Sequence, residues 1–194
     1  MRLILGSGSP RRKEILGFFA LPFDQIPSDF PEETVPFTGD PIAYVKTLSE
    51  KKGELLAKKY PDALILTADT SVFCKGTIYN KPEDKKQAFQ FLSELAGNWH
   101  DVFTGVTLRK GDQFISNVEN TRVLFHPLTP KQIHTYHENF YYGDKAGGFC
   151  VEGSGNIIVK RIEGCFYNVL GLPINPLQEL FSQMGVDLWQ HIKP

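Results

Sequence analysis

The chain has 194 residues, 41% of them hydrophobic, and a formal net charge of −1. That length suffices for one domain with a real core, and the near-zero charge excludes broad attraction to nucleic acid, so phosphate binding must come from a local cluster. Three widely spaced cysteines, Cys74, Cys150 and Cys165, show no zinc or redox spacing and suit a reducing compartment. No secretory leader and no run of membrane-spanning length is visible, so the cytoplasm is the expected location and no membrane partner is expected.

Residues 2–6 form a short apolar run that reads as a buried strand. Ser7-Gly8-Ser9-Pro10-Arg11-Arg12 follows, with Ser9 placed as a helix cap and Pro10 at the first helical position. Strand, turn and helix start then point backbone N–H groups at one spot. Ser7 and Ser9 add hydroxyls, and Arg11 and Arg12 add fork-shaped cations suited to phosphate oxygens. The plainer reading is a solvated arginine pair, since arginine opposes the dipole at a helix start.

Residues 21–26 read as a short strand, followed by a polar, proline-rich loop that carries Asp29, Glu32 and Glu33. Asp40-Pro41 starts a long helix over 42–59, with an apolar stripe of Val45, Leu48, Leu55 and Leu56. Lys52 falls on that stripe. Either it snorkels from the edge or it points into a cavity that holds an anion.

Residues 63–68 make a buried-strand run that ends at Asp69-Thr70 and resumes over 71–74. A buried acid there needs a pair or a metal, and ligands gather at the carboxyl ends of strands in open α/β sheets. Lys81 precedes a proline, so its backbone is extended. A helix is predicted over 84–96, two antiparallel strands over 100–109 and 114–125, and a helix capped by Thr129-Pro130. His134 and His137 lie three apart, but no acid or cysteine at a recognisable spacing supports a metal site. The glycine-rich turn at 143–149 fits a hairpin or bulge, or close approach to a ligand. Residues 156–162 read as a strand, and Asn175-Pro176 as the cap of a last helix with Leu177, Leu180, Phe181 and Met184 inward. The tail carries no signal.

Ser7, Ser9, Arg11, Arg12, Lys52 and Lys81 stand against Glu32, Asp69 and Glu152. Such a set suits a nucleoside triphosphate, with magnesium on the carboxylates and direct attack by water, because no Ser/His/Asp or Cys/His nucleophile is visible.

Ser-x-Ser-Pro-Arg-Arg behind an apolar strand, then Ala-Asp-Thr, Lys-Pro, Asp-Lys-Ala-Gly and Val-Leu-Gly-Leu-Pro, resemble in order the Maf family of nucleoside triphosphate pyrophosphatases. They lie at residues 7–12, 68–70, 81–82, 144–147 and 169–173. The resemblance implies one elongated α/β domain over 1–194, with a curved mixed sheet flanked by helices, related to the inosine-triphosphate pyrophosphatase fold. It implies a cleft between two lobes and a reaction dependent on magnesium or another divalent cation, triphosphate plus water giving monophosphate plus diphosphate. Homodimers are common in the family.

Position by position, the resemblance makes Ser7, Arg11 and Arg12 the phosphate-binding turn and Asp69 the catalytic base and metal partner. Lys52 and Lys81 become phosphate-side lysines, and Glu32 the loop acid, with Glu33 its alternative. Thr70 lies beside the catalytic acid. Glu152 stands where the pyrimidine-preferring branch usually has glutamine, and a branch acting on 7-methyl-GTP often has glutamate. Arg11 and Thr70 follow the pyrimidine branch, which favours dTTP and UTP. Asn80 replaces a common glycine. A nucleotide-binding regulator of septum formation without turnover is the reading from another class.

Overall fold

A computed structural model of the chain describes residues 2–193. Its strands and helices run β1 (Leu3–Leu5), α1 (Pro10–Leu16), β2 (Phe23–Gln25), α2 (Pro41–Lys59), β3 (Leu64–Cys74), β4 (Thr77–Tyr79), α3 (Lys85–Leu95), β5 (Trp99–Lys110), β6 (Gln113–Phe125), α4 (Pro130–Asn139), β7 (Val159–Glu163), α5 (Phe166–Val169) and α6 (Ile174–Gln183). The helix starts follow local chemistry. Ser9, Asp40, Asp84 and Thr129 each accept a backbone N–H of their own first turn, and Pro10, Pro41 and Pro130 follow three of them.

The seven strands form one mixed sheet in the order β2-β1-β3-β5-β6-β7, with β4 also paired to β3. β1 is parallel to β2 and β3, and the other pairs are antiparallel. Side chains alternate across β3. Leu64, Leu66, Ala68 and Val72 enter the larger core, while Ile65 meets Leu56 and Ala57 of α2. Asp69 shares the α2 face with Thr67, whose hydroxyl donates to the Ser49 carbonyl at 2.7 Å. Among the described residues no helix is long and apolar enough to cross a membrane.

The structure departs from the sequence reading at several elements. β3 does not break at Asp69 but runs unbroken for 11 residues, because β5 pairs with it from Ile65 to Phe73. Residues 153–158 form a 3-10 turn, so the strand expected from 156 begins at Val159. α6 starts at Ile174 with Pro173 at its cap position, which places Asn175 and Pro176 inside its first turn. The tail is not featureless: the Ala20 N–H donates to the His191 carbonyl at 2.6 Å, and Ile192 bridges to Phe19.

Candidate active site

The site opens where β3 lacks a neighbour. β5 covers one edge of β3, while on the other β1 reaches only Leu66 and β4 begins at Val72. Residues 67–71 are left without a strand on that edge, with Asp69 in the middle. An unpaired carbonyl in such a place is costly. Arg12 fills the gap: Nη1 donates to the Ala68 carbonyl at 2.9 Å and to Ser7 Oγ at 3.2 Å. Its Nη2 donates to Thr70 Oγ1 at 3.0 Å, and its Nε to the Gly171 carbonyl at 2.7 Å. A guanidinium has five N–H groups, so only one, on Nη2, remains for a ligand. Burial lowers the Arg12 pKa, and Asp69 opposes that effect.

The turn before α1 is closed from within. Ser7 Oγ accepts the Ser9 N–H at 3.2 Å, and Ser9 Oγ accepts the Arg12 N–H at 3.4 Å. Gln25 of β2 donates to the Ser7 and Ser9 carbonyls at 2.9 and 3.4 Å. Nothing in the sequence singled out Gln25; a polar residue in a short strand carries no signal of its own.

Lys52 reaches the gap from the other side. Gly105 of β5 stands directly opposite Asp69, and a Cβ there would overlap the Val45 carbonyl of α2. Glycine therefore lets α2 settle onto the sheet. The Lys52 side chain is buried, and its Nζ lies 2.5 Å from Asp69 Oδ1 and 2.7 Å from Glu32 Oε1. Lys52 therefore does not snorkel to solvent from the edge of the stripe; it points into the cleft, where its partners are two carboxylates. Burial pushes the Asp69 carboxyl up, against the pull of Lys52. Burial also pushes Glu32 up, but Lys52, Lys81 and Arg12 outweigh it and hold that carboxyl below the usual range.

These groups line one cleft of about 480 Å³. It takes in Ser7, Ser9, Arg11, Arg12, Glu32, Lys52, Asp69, Thr70 and Lys81. Glu33 does not line it. Lys81 is exposed and makes no ion pair or hydrogen bond among the described residues. Arg11 is half-buried, with Glu152 Oε2 3.9 Å from its Nη1; Glu152 stands just outside the lining. Asp144 and Lys145, from the glycine-rich turn, also line the cleft, and Lys145 Nζ donates to Asp144 Oδ1 at 2.5 Å and to the Tyr141 carbonyl at 3.0 Å. The sequence marked that turn without giving either charge a place. Asn80, also in the lining, accepts from Ser71 Oγ at 3.0 Å and donates to the Tyr44 hydroxyl at 3.2 Å. Val72, Val102, Phe149, Val151 and Leu170 supply apolar lining. His134 and His137 lie away from the cleft: the first stacks on Phe89 at 4.6 Å, the second lies 3.1 Å from the Gly148 carbonyl.

A mixed α/β protein with cations around two converging carboxylates has a site suited to a polyanion. The chain matches the Maf-like protein family over residues 2–184 and belongs to that family. It is similar to the dTTP/UTP pyrophosphatase of Chlamydia trachomatis serovar L2, 40% identical over 192 residues and 98% of each chain. It is 39% identical over 191 residues to the dTTP/UTP pyrophosphatase of Clostridium perfringens, covering 97% of this chain and 100% of that one. In structure it resembles the Ham1 protein of Staphylococcus aureus with a TM-score of 0.45, at 12% identity over 99% of this chain and 94% of that one.

Proposed function

We propose that this chain hydrolyses nucleoside triphosphates, dTTP and UTP foremost, to the monophosphate and diphosphate. The observation that carries the reading is Lys52 Nζ, 2.5 Å from Asp69 and 2.7 Å from Glu32 in a cleft that Arg11, Arg12 and Lys81 also line. The preference for dTTP and UTP rests on the relatives' names and on Arg11 and Thr70.

Arg11 and Lys81 make few contacts with the protein and are free to grip phosphate oxygens. Arg12 contributes its charge and one N–H. The apolar lining takes the nucleobase. Asp69 Oδ2 accepts no hydrogen bond among the described residues, so it takes the proton of a water that attacks the α-phosphorus. The bond from that phosphorus to the bridging oxygen breaks, and diphosphate leaves. Burial, by raising the Asp69 carboxyl, makes it a stronger proton acceptor.

A divalent cation such as magnesium belongs to this reading. Asp69 and Glu32 offer hard carboxylate oxygens, and one ammonium between two carboxylates leaves a charge of −1 there, so the residues fit. Those two side chains would hold the ion, together with phosphate oxygens. Bound, it would supply Lewis-acid charge to the phosphates.

The test is diphosphate release from dTTP, UTP, CTP, GTP and 7-methyl-GTP with magnesium, repeated with a chelator. Turnover is expected with dTTP and UTP, lost on chelation and reduced about a thousandfold in kcat by Asp69→Asn. Binding without turnover would overturn the reading in favour of a regulator. Glu152, the residue that the 7-methyl-GTP branch often carries, stands at the cleft margin 3.9 Å from Arg11; a second reading, the same reaction on 7-methyl-GTP, rests on its identity, and the same panel separates the two.

A further inference from the structure

We infer that Thr104, which does not line the cleft, is a positioning residue that sets the Arg12 fork against Asp69; the inference rests on the proposed hydrolysis. Thr104 is fully buried on β5, directly opposite Thr70 on β3. Its Oγ1 lies 3.1 Å from the Asn168 carbonyl and 2.9 Å from Thr70 Oγ1. The direction of each bond follows from what each group can do. A carbonyl only accepts, so the Thr104 proton goes to Asn168. Thr104 must then accept from Thr70, and Thr70, its own proton used, accepts from Arg12 Nη2 at 3.0 Å.

The other arm of the fork closes the loop. Arg12 Nε donates to the Gly171 carbonyl at 2.7 Å, and the Gly171 N–H donates to the same Asn168 carbonyl at 2.9 Å. Both arms therefore end on one oxygen. That oxygen is itself fixed, because Asn168 Nδ2 donates to the Val102 carbonyl at 2.8 Å and to Thr121 Oγ1 at 3.0 Å. Gly171 has a φ of 101°, and a Cβ there would stand 3.3 Å from Thr70 Oγ1 and 3.4 Å from Arg12 Nε. A side chain at that position would have to adopt a strained backbone conformation and push the Thr70 and Arg12 groups aside by a few tenths of an ångström.

The circuit brackets Asp69. Thr70 follows it, and the Ala68 carbonyl before it takes Arg12 Nη1. Without the Thr104 hydroxyl, the Thr70 proton has no acceptor and the Asn168 carbonyl loses a donor. Thr70 must then turn to find another partner, and the Arg12 arm it held is released. A Thr104 that merely fills the sheet would have no such reach.

The experiment compares Thr104→Val with Thr104→Ser, each alone and with Thr70→Val. It reads kcat and KM for dTTP, and the NMR resonance and exchange rate of the Arg12 Nε–H. Thr104→Val is expected to lower kcat about tenfold with KM within about twofold, and to shift and speed exchange of that resonance. Thr104→Ser restores both, and Thr104→Val on top of Thr70→Val lowers kcat less than about twofold further, since the chain is already cut. An unchanged kcat and resonance in Thr104→Val, or a full loss on top of Thr70→Val, overturns the inference. Should the unaltered protein turn over no triphosphate, the proposed function fails while the Arg12 resonance alone still decides for or against the circuit.

Discussion

On the sheet side of the cleft, Arg12 donates four hydrogen bonds to other parts of the chain; on the loop side, exposed Lys81 donates none among the described residues. The sheet wall holds Ser7, Arg12, Asp69 and Thr70 on or beside strands, each fixed by partners from distant segments. The loop wall holds Glu32, Lys81 and Lys145, with Glu152 at its margin, on segments that are half-exposed or exposed. It is not loose: Phe37 packs edge-on against Tyr44 at 5.6 Å and near Phe73 at 6.2 Å, which pins the loop that carries Glu32. The contrast shows a division of labour. Arg12 and Asp69 are held by bonds to strands and to distant segments, whereas Lys81 keeps its side chain free for a ligand among the described residues.

Lys52 joins the two walls, so removing it is the strongest way to break the contrast. The sequence alone predicts that Lys52→Ala weakens triphosphate binding more than it disturbs folding. The buried pair with Asp69 adds a stability role. Lys52→Met would leave Asp69 without its partner in a gap made for a charge, at a cost of about 3 kcal/mol. For a chain of this size that is a fall in Tm of about 10 °C, alongside a KM raised about tenfold. Thermal melts of Lys52→Met and of Lys52→Met with Asp69→Asn check the cause. The double variant, which no longer buries an unpaired acid at position 69 and leaves only the more exposed Glu32 without its lysine, should melt higher than the single one. If Lys52→Met melts with the unaltered protein, Lys52 belongs to the loop wall alone.

Acid should loosen the sheet wall next. His100 of β5 is 1% exposed, packed edge-on against Phe125 at 4.4 Å and Phe149 at 5.7 Å, and Phe149 lines the cleft. Neither ring nitrogen has a well-formed hydrogen bond. Burial pushes its pKa down to about 4, and the Asn98 backbone offsets this only in part. An unfolded chain takes up that proton near pH 6.5, the folded one only near pH 4. His100 therefore contributes fully above pH 6.5, and its contribution is lost as the pH falls through 4, about 3 kcal/mol in all. Denaturant melts at pH 7 and pH 4.5 should show the loss, and His100→Phe should flatten it. An equal slope in both proteins would place the acid sensitivity elsewhere.

Much of this was legible in the sequence where local chemistry decides. Ser9-Pro10, Asp40-Pro41 and Thr129-Pro130 read as helix starts because cap and proline act over one turn. Lys52 and Asp69 stood out because a charge in an apolar pattern needs a partner. The rest depended on distant segments. The unbroken β3 rests on its pairing with β5, since an acid in the run looks like an end until a lysine from α2 arrives to pair with it. The nearly saturated Arg12, with four of its five N–H groups taken, could not be read from Arg11-Arg12, where the two look alike; its partners are 5 to 159 residues away in the chain. Gln25, Asn80 and Thr104 act through bonds across the fold, which leave no local mark. The strand expected from residue 156 starts late because residues 153–158 close into a 3-10 turn instead, with the Gly155 N–H donating to the Glu152 carbonyl at 2.9 Å.

The smallest change, Glu152→Gln, sharpens the comparison most finely. Glu152 and Arg11 are 3.9 Å apart and partly exposed, so their attraction is worth at most about 1 kcal/mol and the Tm should hardly move. Base preference is a different matter. A carboxylate only accepts hydrogen bonds, whereas a glutamine amide accepts and donates. Uracil and thymine present an N–H flanked by carbonyls, so an amide can satisfy both kinds of group. A guanine edge presents N–H donors side by side, which suits a carboxylate. If Glu152 reaches the base, Glu152→Gln should raise kcat/KM for dTTP and UTP relative to 7-methyl-GTP by about tenfold, through KM. The same ratio in both proteins would mean that Glu152 does no more than orient Arg11. Discrimination would then lie with the apolar lining, and the loop wall would grip phosphate without reading the base.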